Sequence, residues 1–165
     1  MTPLDLKAHK QAAKKLMQVP VFKPLKRKKL PKPFATFGGS KVQSTDLLDV
    51  SATHVVFMLW RDGDIFTDRK FFAYLYCRLA NGKLSPLFEF HWHPDHKGFH
   101  CKIPCKTTFD YTNRFLPGAP ELALKTQKEL DPRSENDRLK LIVKFCELCG
   151  ITLPDSNSNA QRLCL

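Results

Sequence analysis

Apolar and polar residues alternate on both sides of a short Pro-Asp-His-Lys segment at 94–97. Before it, Phe88, Phe90 and Trp92 share one parity and Glu89, His91 and His93 the other; after it, Phe99, Cys101 and Ile103 alternate with His100 and Lys102. A period of two marks strands with one buried face. Pairing His93 with Gly98 sets Trp92 opposite Phe99 and His91 opposite His100, so both apolar sets share one face and both polar sets the other. The same logic extends upstream. His54–Arg61 (HVVFMLWR) is an apolar, β-prone run, and 70–80 (KFFAYLYCRLA) is a second strand. Asn81-Gly82 predicts a two-residue hairpin into a third strand from Lys83. That turn pairs Arg78 with Ser85, Tyr76 with Leu87, Tyr74 with Glu89 and Phe72 with His91. Tyr74, Tyr76 and Arg78 thereby join the histidine face, which reads as half-exposed and wet.

The helical period appears at the two ends. Residues 2–17 predict a short basic helix, with Thr2 as cap, Pro3 in the first turn and a thin stripe of Leu6, His9, Ala13, Leu16 and Met17. Four prolines between 19 and 34 make the next stretch extended. Pro120 opens a short helix at 120–130, ended by Asp131-Pro132. Ser134 caps a last helix whose apolar face is Leu139, Ile142, Val143, Cys146 and Cys149, and Gly150 stops it. The expected fold is α+β: a four-stranded antiparallel meander packed by one or two C-terminal helices, preceded by a basic N-terminal helix and extended arm. The expected divisions are 1–45 for the leader and linker, 46–152 for the α+β domain and 153–165 for a flexible tail.

Charge changes the picture more than composition does. The 165 residues carry a net +11. Ten of the Lys and Arg lie in residues 1–33 against a single acid, Asp5, so the leader holds +9 and the remaining 132 residues +2. A clustered, proline-stiffened basic segment fits phosphate contact by counterion release. Lys23, Lys26, Arg27, Lys28, Lys29 and Lys32 are the expected phosphate ligands, with Tyr74, Tyr76 and Arg78 as nucleic-acid contacts on the sheet. No apolar run reaches the length that spans a bilayer and the N-terminus has no secretion-signal core, so a cytoplasmic location with no membrane partner is expected. Six cysteines without such a signal read as reduced thiols; Cys146-x-x-Cys149 sits at a helix end, where the dipole does not activate a thiol.

Three chemistries compete for the histidine face. RNA cleavage through the 2′-hydroxyl needs a base, an acid and a cation; His91, His93 and His100 supply the first two, Glu89 orients one of them, and Lys102 with Arg78 holds phosphate. In size and arrangement the chain resembles small basic ribonucleases, including toxins of toxin–antitoxin pairs, which implies RNA more than DNA as partner, an antitoxin as a second partner, and endoribonuclease activity with no cofactor. A non-enzymatic interaction or inhibitor protein, such as a mobile-element or phage accessory protein binding an acidic partner, is the second reading. The third is a zinc hydrolase. The string His91-Trp92-His93-Pro94-Asp95-His96 resembles the HxHxDH motif of metallo-β-lactamase-like hydrolases, which implies His91, His93, Asp95 and His96 as zinc ligands. Beyond His100 the sequence has no histidine to match that family's later ligands. A zinc site from His91, His93 and His100 is the simpler geometry.

Overall fold

A computed structural model of the chain describes residues 6–25, 41–94, 98–102 and 129–154. Alternation builds its centre. The strands β5 (His54–Arg61), β6 (Lys70–Arg78), β7 (Leu84–His93) and β8 (Gly98–Lys102) are antiparallel neighbours in chain order. Three shorter strands extend the sheet beyond β5: β2 (Lys23–Pro24) pairs with β3 (Val42–Ser44), β3 pairs with β5, and β4 (Leu48–Asp49) also pairs with β5. One long helix, α2 (Glu135–Cys149), lies against this sheet, so the fold is α+β with a meander sheet.

The β7–β8 register is the expected one, with His93 opposite Gly98, Trp92 opposite Phe99 and His91 opposite His100. The β6–β7 hairpin differs at its turn. Leu79 N donates to Lys83 O and Gly82 N to Leu79 O, both at 2.8 Å, and Gly82 has φ +78. This is a three-residue loop with glycine in the left-handed position, not a two-residue turn. It moves the pairing by one residue, so Arg78 faces Leu84 and Tyr76 faces Pro86 rather than Ser85 and Leu87. A bulge at Leu87 then restores the frame, and Tyr74 faces Glu89 and Phe72 faces His91 as expected. The extra residue is absorbed in the core: Leu87 and Phe88 are both 1% exposed and lie in the same cluster, as adjacent side chains at a bulge can.

The core under α2 is made by Val56, Met58, Phe71, Ala73, Leu75, Phe88, Phe90, Trp92, Phe99 and Cys101 from the sheet. Helix residues Leu141, Ile142, Phe145, Cys146, Leu148 and Cys149 close it. Phe145 stacks on Phe88, centroids 6.3 Å apart. Two adjacent i, i+4, i+7 ridges face inward, so the buried stripe is wider than the sequence pattern suggested. It is also rotated: Leu139, placed on it by sequence, is exposed, and Val143 is only half-buried. The ends are as expected. The Ser134 hydroxyl accepts from Asp137 N, and Gly150 closes the helix at φ +64.

The leader is partly built into the domain. Helix α1 (Leu6–Gln11) ends before the expected 17 because the chain turns into β1 (Lys14–Lys15), which pairs in parallel with β9 (Ile151–Thr152); residues 2–5 of the expected helix lie outside the described residues. Lys14 is 3% exposed and its ammonium donates to the carbonyls of His9, Lys10 (3.1 Å) and Ala12 (2.8 Å). A lysine at this place satisfies the carbonyl groups that a helix end leaves open. The helix expected at 120–130 and most of the tail lie outside the described residues. No helix among the described residues is long and apolar enough to cross a membrane.

Candidate functional site

The register sorts the second face of the sheet into cross-strand rows. Phe57, Tyr74 and Glu89 form one row, with Lys102 next in line; Leu59, Phe72 and His91 form the next, with His100 next in line. The apolar members, Phe57, Leu59, Tyr74 and Tyr76, make a second cluster, joined by Val42, Leu47, Phe72 and Leu84. This face was expected to be wet. Instead Tyr74 is 4%, Tyr76 3% and His91 6% exposed. The physical reason lies in β5 and β6, which are apolar on both parities and therefore bury both faces.

Within that setting the histidines are close. Nε2 of His91 lies 3.2 Å from Oε2 of Glu89, and both side chains are nearly buried. The contact is one of proximity and lacks the alignment of a hydrogen bond. His93, half-buried, has its ring centroid 5.9 Å from that of His91. The ring of Phe72 stands edge-on to both, at 4.9 Å from His91 and 5.1 Å from His93. Tyr74 flanks His91 at 5.9 Å. Of the expected catalytic set, Glu89, His91 and His93 are thus brought together. His100 and Lys102 are placed beside them by register, and their side chains lie outside the described residues.

The expected contacts fare unevenly. Arg78 sits at the far end of β6, six residues from Phe72, or about 20 Å at the rise of a strand. There its Nη2 meets Oδ1 of Asp49 at 2.6 Å, so it does not reach the histidine pair. Tyr74 and Tyr76 are too buried to stack on bases; Phe72, half-buried, is the ring sequence reasoning passed over. Lys23 is exposed on β2, 3.6 Å from Asp46. Lys26, Arg27, Lys28, Lys29 and Lys32 fall outside the described residues, as do Asp95 and His96. Among the described residues, no three His, Cys, Asp or Glu side chains stand close enough to share a metal ion.

A second polar cluster was not anticipated. Nδ1 of His54, at the start of β5, lies 2.8 Å from the Ser51 hydroxyl oxygen, and its Nε2 lies 2.8 Å from Nδ1 of His9. Both histidines are 1% exposed. Burial, reinforced by the Lys14 ammonium and then by His9, pulls His54 down to about 4. Burial also lowers Lys14, with Cys149 opposing. The Ser51 oxygen also accepts from the backbone N–H groups of Thr53 and His54, which ties it to the turn. The buried thiols nearby are inert for the same reason of burial: Cys101 and Cys146 are pushed up to about 12, and Cys149 well above its usual value. The one sequence signal was His9 on an apolar stripe.

No protein-family model matches this chain, and no curated protein or solved structure is significantly similar to it.

Proposed function

We propose that this protein binds nucleic acid, RNA in preference to DNA, and cleaves it without a metal at the histidine row. The observation that carries the reading is Glu89–His91–His93: an imidazole whose Nε2 lies 3.2 Å from a carboxylate oxygen, with a second imidazole 5.9 Å away on the same face. Two imidazoles suffice for transesterification. His93 takes the proton from the 2′-hydroxyl, whose oxygen attacks phosphorus; the bond to the 5′-oxygen breaks, and that oxygen leaves with a proton from His91. The products are a 2′,3′-cyclic phosphate and a 5′-hydroxyl. The concentration of +9 in residues 1–33 supplies the attraction for a polyanion.

A second reading draws on the burial of His91, Tyr74 and Tyr76. A face this closed suits a protein that binds RNA or an acidic protein, such as an antitoxin, without turning it over. Incubating labelled RNA in chelator with wild type and with a His91→Ala, His93→Ala variant separates the two. Wild-type cleavage to cyclic-phosphate ends, abolished in the variant, is the expected result. Equal cleavage by both rejects the histidine mechanism, and salt-sensitive binding with no cleavage leaves the binding protein.

A further inference from the structure

The stretch that leads from β1 to β2 has two unlike sides. On one side Leu16 is 2% exposed, Pro20 is buried and the Phe22 ring stands edge-on to Phe71 at 6.4 Å. On the other, Lys15, Met17, Val19, Val21 and Lys23 all face solvent, with Met17 77%, Val19 47% and Val21 62% exposed. Single apolar side chains in water are ordinary; a run of them on one side of a segment marks a contact surface. Both ends of the stretch are fixed. Leu16 N donates to Thr152 O at 2.9 Å, and Lys23 pairs with Ser44 across β2–β3. Between them the backbone of Met17, Gln18, Val19 and Val21 makes no hydrogen bond among the described residues. A chain with open N–H and C=O groups is a template for a second extended chain. Because it is already held in place, it loses little freedom on binding one.

Charge selects the occupant. Residues 6–45 contain no Asp or Glu. Lys15 makes no ion pair among the described residues. Lys23 meets Asp46 at 3.6 Å, with both side chains exposed, a contact worth little in water. A second copy of this chain would bring the same lysines. Antiparallel pairing of two such stretches sets Lys15 against Lys23, parallel pairing sets like on like, and like charges opposite one another repel. The complement is an apolar segment with acids at its ends.

From this placement we infer that residues 15–23 are the docking strip for an acidic partner protein, which lays an extended segment along them. Apolar side chains at alternate positions of that segment cover Met17, Val19 and Val21, and carboxylates at its two ends meet Lys15 and Lys23. This rests on the second reading above, the binding of an acidic protein, and assigns the surface that does it; cleavage at His91 and His93 is not required.

The probe is a labelled synthetic peptide with glutamate at both ends, valine at the alternate positions between them and serine elsewhere. Its counterpart carries lysine in place of glutamate. Binding is read by fluorescence anisotropy on full-length wild type, on Met17→Ser with Val19→Ser and Val21→Ser, and on Lys15→Gln with Lys23→Gln. All five side chains are exposed, so thermal unfolding should be unchanged, which confirms an intact fold. The glutamate peptide should bind wild type and the lysine peptide should not. The Ser variant should bind the glutamate peptide about tenfold or more weakly, since its valines lose their apolar cover. The Gln pair should lose the salt sensitivity of binding. If the glutamate peptide binds wild type and the Ser variant alike, the inference is overturned and the acidic-protein reading stands. If the glutamate and lysine peptides bind equally well, charge does not select the partner and the inference is overturned. If neither peptide binds, the acidic-protein reading fails, and the inference with it. Sedimentation of the protein alone and with phosphatidylserine vesicles covers the other occupants: self-association or vesicle binding that the Ser variant abolishes gives the strip to a second copy or to a membrane and overturns the inference.

Discussion

Acid should weaken this fold through His54 over a defined window. In the folded chain the ring is held neutral down to about 4 by burial and by the Lys14 ammonium, whereas an unfolded histidine titrates near 6.5. Between those values the unfolded chain binds a proton that the folded chain refuses, so stability falls as pH falls from about 6.5 to about 4. Below about 4 both states carry the proton and stability falls no further on this account. A gap of about 2.5 units corresponds to about 3 kcal/mol, of which about 2.5 is gone by pH 4.5. The ring is 1% exposed, so screening by solvent is small. That loss is a large share of the stability of an ordinary domain. Urea unfolding near pH 7 and near pH 4.5, on wild type and on His54→Gln, isolates the effect. The variant starts less stable because the bonds to Ser51 and His9 are altered, but the comparison is each protein's own loss between the two pH values. Wild type should lose about 2.5 kcal/mol more than the variant. Equal losses would show that the buried pair does not govern the acid limb.

Two backbone features give sharp tests. Gly150→Ala places a methyl group at φ +64, against the carbonyl oxygen of Lys10; a cost of about 1–3 kcal/mol and a lowered thermal midpoint are expected, and an unchanged midpoint would mean that α1 does not dock there. Leu87 is the unpaired extra residue of the bulge, so its deletion joins Pro86 to Phe88 and leaves Tyr76 opposite Pro86 and Leu75 opposite Phe88. No register slips, and the cost should be that of the lost burial, about 2–5 kcal/mol, as for Leu87→Ala. A deletion far more costly than Leu87→Ala in denaturant unfolding would show that the sheet needs the bulge's bend and not only the side chain.

The β7–β8 hairpin is legible residue by residue because apolar parity on both strands admits one register. The β6–β7 hairpin is legible only in part. The three-residue turn and the bulge each shift the frame by one, and their effects cancel at Tyr74–Glu89, so a two-residue turn gives the right partners there and the wrong ones at Arg78. Exposure is harder to read than pairing. Alternation says which side a residue takes and not what lies over it, and the apolar run of β5 on both parities is the sign that His91 is buried. Lys14 gives no sign, because a lysine is buried only when carbonyl groups converge on it, as those of His9, Lys10 and Ala12 do here. The pairing of Glu89 with His91 follows from parity alone.

The parallel ladder of β1 with β9 joins Lys14 to Ile151, 137 positions apart along the chain. Such a contact forms late, since closing a loop of that length gains nothing until both ends are in place. On a ribosome, the central meander is made and can pair long before its last stitch is available. Until Ile151 emerges, the underside of the sheet, with Phe88, Phe90 and Trp92, has no helix to cover it. The nascent chain thus passes through an interval in which that apolar surface is not yet covered.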